Sequence, residues 1–80
     1  MNIVNLIGKV TDTHPVINNT KMFTLNTDNC SHVLSARGKY KAIAESLQIG
    51  QRIAVQGSLT NHNLKGHTVT IISIEDLLIL

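Results

Sequence analysis

The stretch from Ala42 to Leu59, AIAESLQIGQRIAVQGSL, decides the fold because its hydrophobic period changes part-way along. Before the change, apolar residues recur at i, i+3, i+4 and i+7, the spacing of one buried helical face: Tyr40, Ile43, Ala44 and Leu47. After Gly50 the period becomes two, and one face carries Ile53, Val55, Gly57 and Leu59. The other face carries Arg52, Ala54, Gln56 and Ser58. The stretch therefore predicts a short helix, a glycine turn and a half-buried strand.

Length and composition predict one small domain that covers residues 1–80. A hydrophobic content of 42% is enough for a core, and 15% charged residues is low for a disordered chain. A domain of this size buries only about 60% of its unfolded surface, which favours association with further subunits. The single cysteine, Cys30, excludes an intrachain disulfide, and no segment reads as a signal peptide or membrane span. We therefore expect a cytoplasmic protein with no membrane contact.

Period-two patterns rich in β-branched residues predict five strands: Ile3–Thr11, Lys21–Thr27, Ser31–Arg37, Arg52–Thr60 and His67–Glu75. Turns are expected at Asn18-Asn19 and Asp28-Asn29, and a hairpin loop at Asn61–Gly66. The helix falls between the third and fourth strands. This order is typical of the OB-fold, an all-β, five-stranded Greek-key barrel whose open face commonly binds oligonucleotides or oligosaccharides.

Most of the chain resembles the family of bacterial single-stranded-DNA-binding protein (SSB) and its relative primosomal replication protein N (PriB). The similar segments, in the same order, are Asn2–Val10, His14–Val16, Phe23–Thr27, His32–Leu34, Gly38-Lys39 and Gly50–Leu59. The run from Ile49 to Gly57 is particularly similar to PriB. The resemblance implies binding of single-stranded DNA in replication, restart or repair. It also implies a homodimer or homotetramer, with replication proteins as further partners.

The sequence departs from this family at the positions where aromatic rings stack on bases. These positions correspond to Ser31 and Arg37, and only 2% of the residues are aromatic. Because stacking contributes about 1–3 kcal/mol per base, binding is expected to rest mainly on charge. The net charge is only +2, so Lys21, Arg37, Lys39 and Lys65 would have to share the open face to attract phosphates. Arg37 is the preferred candidate, since a guanidinium both stacks on a base and contacts phosphate.

The candidate nucleic-acid-binding residues lie on the second and third strands and in the segments next to them. They are Lys21, Met22, Thr24, Asn26, Val33, Ser35, Arg37, Lys39, Tyr40, His62 and Lys65. Alternation puts the outer strand residues among them on one surface. Phe23 is expected in the core, and Tyr40 begins the apolar face of the helix, so a core position is the alternative to a binding role there. His62 and Lys65 belong to the last hairpin.

Neither a metal site nor a catalytic site is predicted. The four histidines match no usual ligand spacing, and one cysteine adds only one further ligand: His14, His32, His62 and His67. No phosphate-binding loop and no nucleophile with a supporting base is present. We therefore expect a protein that is not an enzyme and needs no cofactor.

The oligomer interface is expected on the first strand and on the last residues of the chain. In the family that this sequence resembles, the first strand pairs across a two-fold axis. The expected interface residues are Ile3, Asn5, Ile7, Leu78 and Leu80. Dimer and tetramer remain equally open at this point.

Two functions are compatible with the sequence. The first is a module that binds single-stranded DNA with little sequence preference and marked salt dependence, with RNA as an open alternative. The second is an oligomeric adaptor of the same fold that docks replication proteins and has little affinity for nucleic acid. Positive charge and the family resemblance favour the first, whereas the missing aromatic residues favour the second.

Overall fold

In a computed structural model, the chain folds into a closed barrel of five strands. The structure describes residues 2–80, apart from the side chain of Leu64. The elements are β1 (Val4–Thr13), β2 (Lys21–Thr27), β3 (Cys30–Ala36), α1 (Lys39–Glu45), β4 (Arg52–Leu64) and β5 (His67–Ile79). The strand order around the barrel is β1-β2-β3-β5-β4, closed by the pairing of β4 with β1. All these pairs are antiparallel except β3 with β5. The predicted five-stranded barrel, with its helix between the third and fourth strands, is confirmed.

The predicted hairpin loop at Asn61–Gly66 is wrong in extent. Strand β4 continues through Asn61 to Leu64, and only Lys65 and Gly66 form the turn. The polar residues stay in the ladder because this ribbon lies beyond the barrel wall, where side chains meet water rather than core. Asn61 shows the effect directly, since its Oδ1 accepts a hydrogen bond from Thr70 Oγ1 at 3.1 Å across the ribbon.

Other strand ends differ from the prediction by one to four residues, and β1 runs from Val4 to Thr13 instead of from Ile3 to Thr11. Strand β3 ends at Ala36, so Arg37 lies just beyond it. Strand β5 runs to Ile79 rather than to Glu75, because its last residues pair with the start of β4. The apolar C-terminal run is therefore a barrel strand.

The predicted turns at Asn18-Asn19 and Asp28-Asn29 are confirmed by their backbone angles. Both residues of each pair have positive φ, 53° and 59° in the first and 44° and 72° in the second. This is the conformation that two-residue hairpin turns require, and asparagine and aspartate tolerate it better than other residues that carry a Cβ. The second turn sets the register in which β2 pairs with β3, and the first brings Ile17 opposite Thr20.

The core fills the barrel, and α1 closes one part of it. Phe23, expected in the core, is fully buried. The predicted helical face is confirmed too, with Ala44 fully buried and Tyr40 and Ile43 packed against the core. Leu47 lies beyond the last helical residue, yet its N–H bonds to the Ala44 carbonyl, which turns its side chain inward. Over the described residues, no helix is long and apolar enough to cross a membrane.

Gly57 marks the point where β4 changes its surroundings. A Cβ at this position would lie 2.3 Å from the carbonyl oxygen of Ser73 and 2.9 Å from Cγ2 of Ile72. The register with β5 also shifts here, between Gln56 and Gly57, as in a β-bulge. The first part of β4 therefore pairs with both β1 and β5, and the second part pairs with β5 alone.

Candidate nucleic-acid interface

The outward side chains of β2 and β3 form one surface. Across the antiparallel ladder Met22 faces Ser35, Thr24 faces Val33, and Asn26 faces Ser31, while Phe23 and Leu25 between them point into the core. We call this the β2–β3 surface; it consists of Met22, Thr24, Asn26, Ser31, Val33 and Ser35. Five of these six residues are predicted site residues, and the structure brings them together. Ser35 is only 8% exposed, so the expectation that it contacts a ligand is wrong, because the neighbouring strands cover it.

Hydroxyl groups extend the β2–β3 surface onto β5 and β4. Ser35 pairs with Ser73, and Ser73 pairs with Ser58 on the next strand. Two and four residues further along β4, Thr60 and His62 share the face of Ser58, and His62 Nε2 lies 3.2 Å from Thr60 Oγ1. The predicted residue His62 therefore lies on the continuation of this surface. Ser58 and Ser73 were not predicted as site residues, because alternation alone does not reveal which strands are neighbours.

Arg37 lies at one end of the β2–β3 surface. Its Nε donates a hydrogen bond to Thr20 Oγ1 at 3.1 Å, which ties the exposed Arg37 to the residue just before β2. Thr20 in turn forms a bridge with Ile17, whose side chain is 66% exposed. Ile17 was not predicted as a site residue.

Three predicted site residues lie neither on the β2–β3 surface nor on its extension. Lys21 alternates with Phe23, and its Nζ donates to the carbonyl oxygen of His14. Lys39 begins α1, with Nζ 5.1 Å from the centre of the Tyr40 ring. The Tyr40 hydroxyl donates to Asp76 Oδ1 at 3.2 Å, towards the end of β5. The expectation that the predicted lysines share one face with Arg37 is therefore wrong for Lys21, because strand alternation points it to the opposite side.

Lys65 lies at the far tip of the β4–β5 hairpin. It occupies the turn itself, with φ of 51°, and is exposed. Arg37 and Lys65 thus belong to different ends of the extended surface rather than to one cluster. Such spacing suits a ligand that runs along the surface, since an extended strand of nucleic acid carries its charge along its length.

A second pair of cations lies at the edge of the β2–β3 surface. Lys9 on β1 faces Asn26 on β2 and also faces Arg52 on β4. Both cationic side chains are exposed. Neither was predicted as a site residue, because their proximity depends on the pairing of β1 with two different strands.

An apolar face occupies a different side of the barrel, where β1, β4 and β5 pair. Ile7 faces Ala54, which faces Leu78; Ile7 is 59% and Leu78 63% exposed. We call this the apolar face; it consists of Ile3, Asn5, Ile7, Ala54, Gln56, Leu78 and Leu80. A cavity of about 390 Å³ opens on it. All five residues predicted for the oligomer interface lie on this face.

The charges around the apolar face are unevenly distributed. Lys9 and Arg52 lie at one end, because Arg52 is next to Leu80 in the ladder. Asp76 lies at the other end, opposite Gln56. The face is therefore basic at one end, apolar in the middle and acidic at the other end.

The structure offers no metal centre among the described residues. Within residues 2–80, no three side chains of His, Cys, Asp or Glu come together in a way that could hold a metal ion.

Comparison with solved structures identifies molecules of the same architecture. The SSB of Plasmodium falciparum, in complex with single-stranded DNA, is 22% identical over 100% of this chain and 95% of its own, with a TM-score of 0.79. The mitochondrial single-stranded-DNA-binding protein Rim1 of S. cerevisiae is 9% identical over 99% of this chain and 94% of its own, with the same TM-score of 0.79. The fold is the OB-fold.

A third similar structure carries a different kind of ligand. The OBody NL8, bound to hen egg-white lysozyme, is 10% identical over 100% of this chain and 94% of its own, with a TM-score of 0.79. No protein-family model matches the sequence, and no curated protein matches it either. At these identities the likeness is one of fold, and the function has to be argued from the surfaces.

Proposed function

We propose that this protein binds single-stranded DNA along the β2–β3 surface and its extension on β5 and β4. The observation that carries the proposal is the continuous row of small, polar and aliphatic side chains on neighbouring strands, with Arg37 at one end and Lys9 at the edge. The fold similarity to an SSB bound to single-stranded DNA supports the same reading. The biological setting that we propose is DNA replication, restart or repair, with RNA as an open alternative and PriB as the model for its type.

Charge and hydrogen bonding, rather than stacking, would provide most of the affinity. Phe23 is fully buried, and the hydroxyl of Tyr40 is engaged by Asp76 away from the surface. The ring stacking that contributes about 1–3 kcal/mol per base is therefore not supplied by these two residues. Serine and threonine hydroxyls and the guanidinium of Arg37 bind phosphate oxygens without regard to sequence. Affinity should consequently be moderate and strongly dependent on salt.

Self-association through the apolar face is part of the proposal. Leucine and isoleucine side chains exposed together on one sheet face are unfavourable in water, and a small domain gains stability by covering them. A two-fold axis through the face would set the basic end of one copy, at Arg52, against the acidic end of its partner, at Asp76. A homodimer would carry a charge of about +4 instead of +2, which strengthens attraction for DNA. A homotetramer would strengthen it further.

The remaining sequence predictions belong to this proposal. We propose a protein that is not an enzyme, works without cofactor or metal, and acts in the cytoplasm. Replication proteins are the further partners that its proposed setting implies.

A fluorescence-anisotropy titration tests the proposal directly. Labelled oligo-dT of about 12 nucleotides lies within the site size of about 4–16 nucleotides for one OB-fold domain. We expect binding at about 50 mM salt that weakens markedly at about 200 mM. The variant Arg37→Ala should bind more weakly and should lower the slope of log affinity against log salt by about 0.7, the value for one phosphate contact with a single strand.

The matched control for this experiment is Lys41→Ala, which removes the same charge from a different place. Lys41 lies on α1 and pairs with Glu45 at 2.9 Å. Its replacement should leave the salt slope unchanged. Equal slopes for Arg37→Ala and the unmodified protein would put the binding surface elsewhere, and no binding at about 50 mM salt would eliminate the proposed function.

An oligomeric adaptor is the second candidate function. It is favoured by the exposed apolar face with its cavity of about 390 Å³, and by the similar fold of the OBody, whose bound ligand is a protein. It predicts a stable oligomer that shows no change in anisotropy with oligo-dT at low salt. Binding that disappears in Arg37→Ala but not in Lys41→Ala would exclude it as the main function.

A further inference from the structure

A second cavity lies at the mouth of the barrel, where β3 and β5 separate. Their parallel pairing covers only two residue pairs, Leu34 with Ile72 and Ser35 with Ser73. Towards the starts of both strands the gap widens into a cavity of about 240 Å³. Its lining consists of Ser31, His32 and Val33 on one side and Leu59, Thr70 and Ile72 on the other.

One wall of this cavity is apolar and held in place. Leu59 faces Ile72 across the β4–β5 ladder, and its side chain is 45% exposed, whereas Ile72 is 4% exposed. The backbone of Leu59 is bonded on its other side by Asn2, whose amide donates to the Leu59 carbonyl at 2.8 Å and accepts from the Leu59 N–H at 3.3 Å. A leucine this exposed offers an apolar surface to any planar group that enters.

The opposite wall carries hydrogen-bonding groups. Peptide groups of successive residues in a strand point alternately to its two sides, so at least one residue from Ser31 to Val33 presents its N–H and C=O towards β5. The imidazole of His32 is anchored through Nε2, 2.9 Å from Thr27 Oγ1. Thr70, on the β5 side of the cavity next to Ile72, adds a hydroxyl that donates to Asn61. The apolar wall at Leu59 suits the flat face of a nucleobase. The hydrogen-bonding groups of β3 suit its polar edge.

We propose that this cavity takes up one base of the single strand that lies on the β2–β3 surface, an inference that rests on the proposed function. Ser31 and Val33 line the cavity and also belong to the β2–β3 surface, so a strand lying on that surface passes its entrance. The volume of about 240 Å³ is several times the roughly 30 Å³ of one water molecule, which leaves room for a ring.

The proposed subsite supplies a base contact that does not depend on an aromatic ring. A base held between Leu59 and the edge of β3 is removed from water on its faces and hydrogen-bonded at its edge. Bases of single strands are commonly recognised in this splayed-out form. The subsite would hold one base at a defined place on the protein, while the other nucleotides are bound through their phosphates.

A cycle of protein and DNA modifications tests this inference. The ligands are oligo-dT of about 12 nucleotides in which one nucleotide is replaced by an abasic analogue, at a different position in each. The analogue keeps the phosphate and removes the base. With the unmodified protein, we expect one or two central positions where the replacement weakens binding about fivefold to tenfold, and little effect elsewhere. With Leu59→Ala, binding to intact oligo-dT should weaken and the abasic replacement should cost less than twofold, because the contact is already lost.

The matched control is Ile49→Ala, which truncates a side chain that is 68% exposed in the loop after α1. It should keep the full abasic effect. Circular dichroism and urea titration of Leu59→Ala check that the barrel is intact. If the unmodified protein binds oligo-dT but every abasic position has the same small effect, or if the effect persists undiminished in Leu59→Ala, the base subsite is excluded while the proposed function stands. If the unmodified protein does not bind oligo-dT, both proposals fall.

Discussion

The apolar face and the β2–β3 surface are both outer faces of one barrel, and they differ in what they expose. On the apolar face, Ile7 and Leu78 are more than half exposed. On the β2–β3 surface, Ser31 and Asn26 are exposed, Met22, Thr24 and Val33 are partly exposed, and Ser35 is buried. The first composition favours contact with another apolar surface, and the second favours contact with a hydrated, charged ligand.

The closed barrel carries its two kinds of surface on different sides. Strand β4 contributes to both, with Ala54 on the apolar face and Ser58 on the extension of the β2–β3 surface. Gly57, where the register shifts, lies between them. An assembly can therefore cover the apolar face and leave the polar surface open to DNA.

The largest expected effect is on the apolar face. Leu78→Glu places a carboxylate in the centre of the proposed contact, where it would be buried without a partner, at a cost of roughly 3–5 kcal/mol. Light scattering after size exclusion should show a monomer at micromolar concentration where the unmodified protein is an oligomer. Ile49→Glu adds the same charge in an exposed loop and should leave the mass unchanged. A monomeric unmodified protein would contradict the role given to this face.

The next effect concerns the residue that separates the two surfaces. Gly57→Ala inserts a methyl group 2.3 Å from the Ser73 carbonyl oxygen, so the backbone of β5 must move. We expect the free energy of unfolding to fall by about 1–3 kcal/mol, as for overpacked cores, measured by urea denaturation. Ser58→Ala, one residue along, should change it by less than about 0.5 kcal/mol. Equal stability of the two variants would mean that the close contact at Gly57 is unimportant.

A gain of affinity is expected when the β2–β3 surface receives a ring. Met22→Trp puts an indole at an outward position opposite Ser35, and one stacked base should tighten binding by about 1–3 kcal/mol. The chain has no tryptophan of its own, so fluorescence quenching by oligo-dT reports the contact directly. Ile49→Trp provides the off-surface control. Unquenched fluorescence in Met22→Trp at saturating DNA would show that the strand runs elsewhere.

The smallest effect should come from the boundary between the two surfaces. Lys9 faces Asn26 on one side and Arg52 on the other, so it could serve DNA or the subunit contact. We expect Lys9 to contact phosphate, so Lys9→Ala should lower the salt slope for oligo-dT by about 0.7 and leave the mass of the oligomer unchanged. An altered mass with an unchanged slope would assign Lys9 to the apolar face instead.

Local patterns in the sequence were enough to predict the elements of the fold. The change of period after Gly50, the Asn-Asn and Asp-Asn turns and the alternation around Phe23 each depend on neighbouring residues along the chain. Strand β2 was predicted with its exact ends, Lys21–Thr27. The polar residues from Asn61 to Asn63 misled the prediction of β4, because a ribbon outside the barrel needs no apolar face.

Within the candidate site, the sequence could determine only what lies on one strand or on adjacent, turn-linked strands. Met22, Thr24 and Asn26 share a face through alternation alone, and the short turn after Thr27 brings β3 beside them. The serine row from Ser35 to Ser58, the pairing of Lys9 with Arg52 and the cavity between β3 and β5 all depend on contacts between distant parts of the chain.

The sequence by itself thus determined the element types, the turns and the identity of the buried faces, because hydrophobic period and turn chemistry are local properties. Only the tertiary structure decided which faces became neighbours. Closure of the barrel placed Lys9 beside Asn26 and Arg52, gathered Ile7, Ala54 and Leu78 into one apolar face, and left a gap beside Leu59. The physical reason is that pairing between strands distant in the sequence depends on packing of the whole core, and the register of β4 with β5 shifts at Gly57, where a side chain would clash with Ser73.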